Sequence, residues 1–326
     1  MENVLAIFLF LVGFGLLIEG GDWFVDGAVG IAHRFHLPEL LIGATVVAIG
    51  TTVPEVMVSS ISAIEGQGAT AYGNAVGSII CNAALIAALT MAIRPAKVSR
   101  SSFAIPVCFF AVALVVYLLA AYVFDFTRWI GITLLAIFAV YMVYSIISAK
   151  KTPEKGDEEM EDFAPSPLWK DILLLIIGAV AIAVGAYLLV NNGKKIAEWI
   201  GVPESVIAIT LIALGTSLPE LVTAVVALAK GHSALSLGNI IGANLFNLVL
   251  VAGVSTTISP FSIAEATENT KQIAGMSSGL VVELPLVGVV MAILAIPTLI
   301  KGKVYRAQGI ILLLLYAAFC VYQFAF

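Results

Sequence analysis

One spacing constrains this chain more than any other. Pro38, Thr45, Ala48, Gly50, Thr51, Pro54, Glu55, Gly73, Asn74, Gly77, Asn82 and Pro95 reappear 165 positions later as Pro203, Thr210, Ala213, Gly215, Thr216, Pro219, Glu220, Gly238, Asn239, Gly242, Asn247 and Pro260. Twelve identities at one offset mark an internal duplication, so whatever one half folds into, the other folds into as well. Both halves are strongly apolar. Hydrophobic residues make up 61% of the chain and charged residues 11%, against roughly 45–50% and about 25% in soluble domains. Apolar runs of about 20 residues, each long enough to cross a bilayer as a helix, recur from end to end.

Hydropathy and helix breakers predict ten spans, at residues 4–31, 38–64, 71–93, 103–123, 129–149, 169–198, 204–229, 235–258, 279–300 and 305–325. Between the fifth and sixth lies the only long polar stretch, KKTPEKGDEEMEDFAPSP, whose charges and three prolines read as a solvated linker too short for a folded domain. The chain divides into a first five-helix repeat (1–149), a linker (150–168) and a second five-helix repeat (169–326). The expected fold class is an all-α polytopic membrane protein. Because five is odd, the second repeat enters the bilayer from the opposite side, the inverted-topology plan of secondary transporters. Twelve of the 16 Lys and Arg residues fall on the face that carries the linker; the other four are Arg128, Lys194, Lys195 and Lys271. That bias predicts a cytoplasmic linker and two extracytoplasmic termini, in a plasma or inner membrane.

The remaining composition excludes more than it suggests. No basic patch points to nucleic acid, and no Ser–His, Cys–His or His-rich constellation in any span points to an enzyme or a cofactor. Cys81, Cys108 and Cys320 lie in apolar runs without disulfide or zinc spacing and read as core residues. The N-terminal stretch lacks a basic region and a small-residue cleavage pattern, so it reads as the first span and not as a removable signal. His33, His36 and His232 fall near span ends and read as interfacial. Glu19, Asp22 and Asp26 read as a packed or solvated helix end, with an approach path as the alternative, and Glu283 as a structural or entrance residue.

The chemistry concentrates in AIGTTVPEV (48–56) and its copy ALGTSLPEL (213–221). On a helix, Thr45, Thr51 or Thr52, and Glu55 share one face. Pro54 has no N–H and clashes with the carbonyl four residues back, so the Gly50 carbonyl loses its helical partner and a break is expected there. A glutamate at the membrane centre costs on the order of 2–3 kcal/mol, and a freed carbonyl must find a partner in protein or in a water-lined cavity. A cation answers both demands, since hydroxyls, carbonyls and carboxylates are hard oxygen ligands that suit Ca²⁺ and also Na⁺. The following spans, GNAVGSIICN and GNIIGANLFN, add Ser78 and Asn82 on one face and Asn247 in the copy, with Ala243 in the serine position. Gly73/Gly77 and Gly238/Gly242 fit the small-xxx-small rule for close helix packing. Such packing would carry each asparagine toward a broken helix, and Glu55 and Glu220 are expected to converge near the midplane.

Those residues resemble the two α-repeats of the sodium/calcium exchanger family, within the cation/Ca²⁺ antiporter superfamily. GTTVPE and GTSLPE, the GN…G…N spans after them, the ten-span plan and the central linker all match, and the likeness covers the whole chain. It implies alternating-access exchange of Ca²⁺ for Na⁺, with three Na⁺ per Ca²⁺ making each cycle electrogenic. Carried over by position, it implies Glu55 and Glu220 as shared carboxylates, with hydroxyl or backbone oxygens from Thr51, Thr52, Thr216 and Ser217. It also implies carbonyls from Ala48 and Ala213, and a cage completed by Ser78, Asn82 and Asn247. The two asparagines either touch the ion or orient the glutamates. Ala243 lacks the hydroxyl that some members place there, which affects a Na⁺ subsite. Asn247 stands where potassium-dependent members have Asp, which speaks against K⁺ co-transport, and the proton-coupled branch has a different motif. The linker has no room for the Ca²⁺-sensing domains of animal exchangers, so the likeness is to the prokaryotic type. A single chain is the expected transport unit, with Ca²⁺ and Na⁺ as transported ions and no cofactor. The alternatives are a K⁺-dependent or H⁺-coupled antiporter and, less in keeping with a single carboxylate pair, a Ca²⁺-permeable channel.

Overall fold

Backbone in hydrocarbon must satisfy its own hydrogen bonds, and apolar runs of this length do so as helices. The computed structural model describes residues 2–151, 167–200, 215–263, 272–273 and 276–325. Among these, nine helices are long and apolar enough to cross a membrane. They are α1 (Val4–Arg34), α2 (Glu39–Ile64), α3 (Thr70–Ile93), α4 (Arg100–Phe124), α5 (Arg128–Ser148), α6 (Leu168–Trp199), α8 (Ser233–Ile258), α9 (Gly279–Lys301) and α10 (Arg306–Gln323). The shorter α7 (Leu218–Ala229) is the described part of the seventh expected span. Residues 201–214, which begin that span, and most of the expected linker lie outside the described residues. A two-residue antiparallel pair, β1 (Gln272–Ile273) with β2 (Met276–Ser277), precedes α9. The architecture is the expected all-α polytopic one.

The duplication is visible as symmetry. A β-carbon on Gly13 of α1 would stand 2.8 Å from the Gly185 carbonyl oxygen and 2.8 Å from the Leu189 nitrogen of α6. A β-carbon on Gly178 would stand 2.8 Å from the Gly20 carbonyl oxygen and 2.5 Å from the Phe24 nitrogen. Each residue of the second contact is the 165-offset copy of one in the first, with the helices exchanged. Gly13 meets Gly185 while Gly20 meets Gly178, so α1 and α6 run antiparallel. Two repeats whose first helices pack antiparallel through mutually exchanged contacts are related by a twofold axis, and the second is inverted relative to the first. The seam consists of small residues with backbone against backbone, the usual way that helices associate without a hydrophobic driving force.

Deepest in the molecule are α8, covered almost all round, and then α3; α5 and α10 keep most of their surface outward. A second glycine contact fixes α2 on α8, where Gly238 would place a β-carbon 2.2 Å from the Leu40 carbonyl oxygen and Gly242 one 2.6 Å from the Ala44 Cα. The pair Gly238/Gly242 therefore packs as expected. For Gly73/Gly77 a β-carbon would meet nothing within 4 Å. The residues that the duplication would bring against them, 205 and 209, lie outside the described residues.

Three spans are interrupted by single π-helical turns, at Gly43–Val47 in α2, Asn82–Ala87 in α3 and Asn247–Val251 in α8. Here the expected break is corrected. The helix from Ala48 to Ile64 runs straight through Pro54, and the irregularity lies one turn earlier. A π turn loosens carbonyls without ending the helix, which moves the disturbance away from the proline. The Tyr141 hydroxyl donates to the Ala44 carbonyl of that turn at 2.8 Å, at a fully buried position. Tyr141→Phe would leave the carbonyl short of a donor; a loss of about 1–2 kcal/mol in unfolding free energy is expected, read from thermal or denaturant melts of the purified protein.

Loops on both faces are stitched together across the repeats. After α3, Val98 N–H donates to the Gly302 carbonyl at 2.9 Å and Val304 N–H to the Ala96 carbonyl at 3.0 Å. After α4, Phe126 and Phe261 exchange backbone hydrogen bonds at 3.0 and 3.1 Å and stack their rings 4.7 Å apart.

Candidate cation site

Glu55 sits within α2 and Glu220 in the first turn of α7, and both are 0% exposed. They lie close enough that the charge of Glu220 acts directly on Glu55. Two carboxylates in a low-dielectric interior repel strongly unless a positive charge stands near them. Neither is paired with a basic side chain in any ion pair among the described residues. None of their four oxygens accepts a conventional hydrogen bond. The Thr51 and Thr52 hydroxyls of the first repeat approach Glu220 of the second, although at hydrogen-bond distance Thr51 donates instead to Asn239 Oδ1, 3.2 Å away.

The same pattern of unpartnered buried groups continues at the other expected site residues. The hydroxyls of Thr52 and Ser217 and both amide atoms of Asn82 and Asn247 are buried without a hydrogen-bond partner. Buried polar groups in proteins are almost always satisfied, so a set of orphaned oxygens contributed by α2, α3, α7 and α8 is what a dehydrated cation would complete. All of the donors are hard oxygens or the amides beside them, which is the chemistry of Ca²⁺ and Na⁺ and not of soft metals.

Local structure sets how several of these side chains are aimed. Asn82 and Asn247 each open a π turn, at the same point of the two repeats. The extra residue in such a turn re-aims the side chains next to it. The repeated motif itself folds differently in the two halves. In α2 it is continuous helix, whereas Thr216–Ser217 form a turn and Pro219 falls in the first turn of α7, where its missing N–H costs nothing. Glu220 is thereby placed at a helix N-terminus and Glu55 within a helix.

The expected site residues fall as follows. Ala48 is fully buried, its carbonyl 3.4 Å from the Thr51 hydroxyl. Ser78 is buried on α3 beside the Asn82 turn, Ser217 is buried, and Thr216 is half-buried. Ala213 lies outside the described residues. Thr45, expected on the polar stripe, instead donates to the Leu41 carbonyl of its own helix at 2.7 Å and borders an apolar cavity of about 560 Å³. Glu283 lies at the start of α9 and accepts a hydrogen bond from Gln323 at 3.4 Å.

Two residues were not anticipated at the site. Asn74 donates to the Glu55 carbonyl at 3.2 Å and to the Ser59 hydroxyl at 2.8 Å, tying α3 to the back of the glutamate. Asn239, its copy in the second repeat, takes the Thr51 hydroxyl. The signal was present, because both belong to the repeated set.

Comparison with known proteins gives a consistent result. The sequence model of the family described as sodium/calcium exchanger protein matches residues 5–147 and 170–325. The chain is 35% identical over 332 residues to a putative antiporter, CaxA, of Alkalimonas amylolytica, covering 98% of each chain. It is 31% identical over 357 residues to the sodium/calcium exchanger MaX1 of Methanosarcina acetivorans, covering 97% of each. Its fold superimposes on a solved structure of the sodium-calcium exchanger NCX_Mj with a TM-score of 0.79 at 30% identity, covering 97% of this chain and 98% of that one.

Proposed function

From its membership of the sodium/calcium exchanger family, we propose that this chain is a secondary antiporter exchanging Ca²⁺ for Na⁺ across a cell membrane by alternating access. One observation carries the reading: Glu55 and Glu220, one from each repeat, are buried together with no protein cation and no hydrogen bond to either carboxylate. In this reading Ca²⁺ bound between them offsets their mutual repulsion, with Thr51, Thr52, Ser217 and Thr216 supplying oxygens. Ala48 and Ala213 contribute carbonyls, and Ser78, Asn82 and Asn247 complete the cage. Several Na⁺ ions spread over the same oxygens neutralise the pair equally well, and so compete with Ca²⁺.

The coupling follows from electrostatics. A site emptied of cations holds two uncompensated charges in a dehydrated core, so its passage between the two faces is disfavoured. Only loaded sites turn over, and a Ca²⁺ going one way is answered by Na⁺ going the other. Three Na⁺ per Ca²⁺ moves one net positive charge per cycle. The Lys and Arg bias orients the linker to the cytoplasm and both termini outward, so inward Na⁺ flow extrudes Ca²⁺. A single chain supplies both carboxylates and forms the transport unit.

The test is ⁴⁵Ca²⁺ uptake into Na⁺-loaded proteoliposomes with external Na⁺, K⁺ and pH varied separately. Uptake that requires internal Na⁺, is suppressed by external Na⁺ and is indifferent to K⁺ is the expected result. Uptake that needs K⁺ or a proton gradient would replace Na⁺ as the sole coupling ion, and uptake with no opposing gradient would indicate a channel.

A further inference from the structure

The two repeats are not copies in charge. Lys230-Gly231-His232 joins α7 to α8, and its repeat partner Glu65-Gly66-Gln67 joins α2 to α3. Both turns pivot on a glycine with positive φ, 75° at Gly66 and 95° at Gly231, so their backbones are alike and their side chains are not. Lys230 Nζ lies 2.7 Å from Asp26 Oδ1 and 3.3 Å from Asp22 Oδ1, and donates to the Asp22 carbonyl at 3.3 Å. His232 Nδ1–H donates to Glu39 Oε1 at 2.7 Å. Three acids of the first repeat, on α1 and at the start of α2, thus hold a turn of the second.

At the described repeat-related positions the charges differ, while Glu204, the counterpart of Glu39, lies outside the described residues. Lys230 corresponds to Glu65, His232 to Gln67, Asp22 to Tyr187 and Asp26 to Asn191. Gln67 bonds Glu65 of its own turn at 3.3 Å, and Asn191 donates to the Tyr187 carbonyl of its own helix at 2.9 Å. Among the described residues, no ion pair joins the 65–67 turn to another element. Among the described residues, an ion-paired clasp is present on the 230–232 turn and not on its repeat partner.

The position of the clasp gives it a consequence. Glu220 opens α7 and Lys230 follows its last residue, ten residues on, or about 15 Å of helix. The contacts stand at the far end of the helix that Glu220 opens and bridge first-repeat to second-repeat elements. Exposing the site there requires elements of the two repeats to part, which would break these ion pairs, whereas the described 65–67 turn on the opposite face has no ion pair to break. We propose that the Lys230–His232 turn, held by Asp22, Asp26 and Glu39, is a one-sided clasp that favours the state closed on its own face, and that Lys230 is a positioning residue setting the sidedness of exchange. This rests on the exchange reading above.

The clasp is tested by Lys230→Met, with Lys230→Arg as the conservative control. In membrane vesicles of defined orientation, Lys230→Met is expected to lower the KM for Ca²⁺ at the clasp face relative to that at the other face, changing their ratio about threefold, the size that a partly exposed ion pair carries when it biases two populations. Arginine restores the wild-type ratio. Asp22→Asn with Asp26→Asn reproduces the methionine phenotype, and adding Lys230→Met to that pair changes nothing further. Equal shifts at both faces, or none, would overturn the clasp. Hydrogen–deuterium exchange of the purified protein gives a readout independent of transport. Lys230→Met is expected to speed exchange across residues 226–236 and leave 60–72 unchanged, and unaltered exchange in 226–236 would also overturn the clasp. If the wild type exchanges no Ca²⁺ for Na⁺ at all, the functional reading fails while the exchange of amide hydrogens still decides on the clasp.

Discussion

Replacing Glu55 or Glu220 by glutamine is expected to lower Na⁺-dependent ⁴⁵Ca²⁺ uptake at least about 30-fold, while leaving the protein folded. Removing one charge from a buried, oriented charge–charge contact costs about 2–5 kcal/mol, and every 1.4 kcal/mol is a factor of ten. Glutamine keeps the volume and one oxygen, so loss of activity would report the charge and not the shape. The same substitutions carry an opposite sign for stability without ions. Both carboxylates are fully buried without a hydrogen bond, so neutralising either removes a repulsion that the ion-free protein must otherwise bear. Melting of the Ca²⁺-free protein should rise in both variants. The upward shift that Ca²⁺ gives the wild type, about 2.7 kcal/mol at a hundredfold excess over its dissociation constant, should vanish. A variant that melts lower than wild type in the absence of Ca²⁺ would show that the carboxylates are satisfied some other way.

Among the glycines whose surroundings the structure describes, Gly238→Ala should be the most damaging. Its β-carbon would stand 2.2 Å from the Leu40 carbonyl oxygen and 3.0 Å from the Leu40 Cα. Backbone cannot swing aside as a side chain does, so α2 and α8 would have to separate along their contact. Overpacking typically costs about 1–3 kcal/mol, and a forced backbone shift belongs at or above the top of that range. Gly288→Ala is the control, because a β-carbon there meets nothing within 4 Å. Being mid-helix, it should be neutral or stabilising by up to about 1 kcal/mol. Thermal melts and detergent-extracted yield separate the two. Comparable melts would mean that α2 and α8 are not held as closely as their geometry implies.

How far the fold was legible follows from which residues carry long-range information. The constant offset revealed the repeats, and the odd number of spans in each revealed their inversion. Glu55 and Glu220 stood out because an acid in an apolar run is costly enough to require a reason. The π turns were not legible. An extra residue inside a helix leaves no composition signal, and Pro54 drew attention to the wrong turn. Prolines mark where a helix loses a hydrogen bond, whereas the structure loosened at Gly43–Val47. Asn74 and Asn239 were in plain view within the repeated set, but a hydrogen bond between spans depends on packing that no local pattern encodes. The same holds for Asp22, Asp26 and Lys230, separated by some two hundred positions. Gly13, Gly20, Gly178 and Gly185 also obey the 165 offset, and a wider search for identities would have disclosed the α1–α6 seam.

The stitched loops bear on what can move. The bonds between residues 96–98 and 302–304 on one side, and between Phe126 and Phe261 on the other, fasten α4 at both of its ends to the neighbourhood of α8, α9 and α10. A helix pegged at top and bottom to the opposite repeat cannot tilt without tearing both pegs, so this block behaves as a stator. In the exchange reading proposed above, α1 and α6 would then be the pair that moves, with the Lys230 contacts to Asp22 and Asp26 holding α1 on one side.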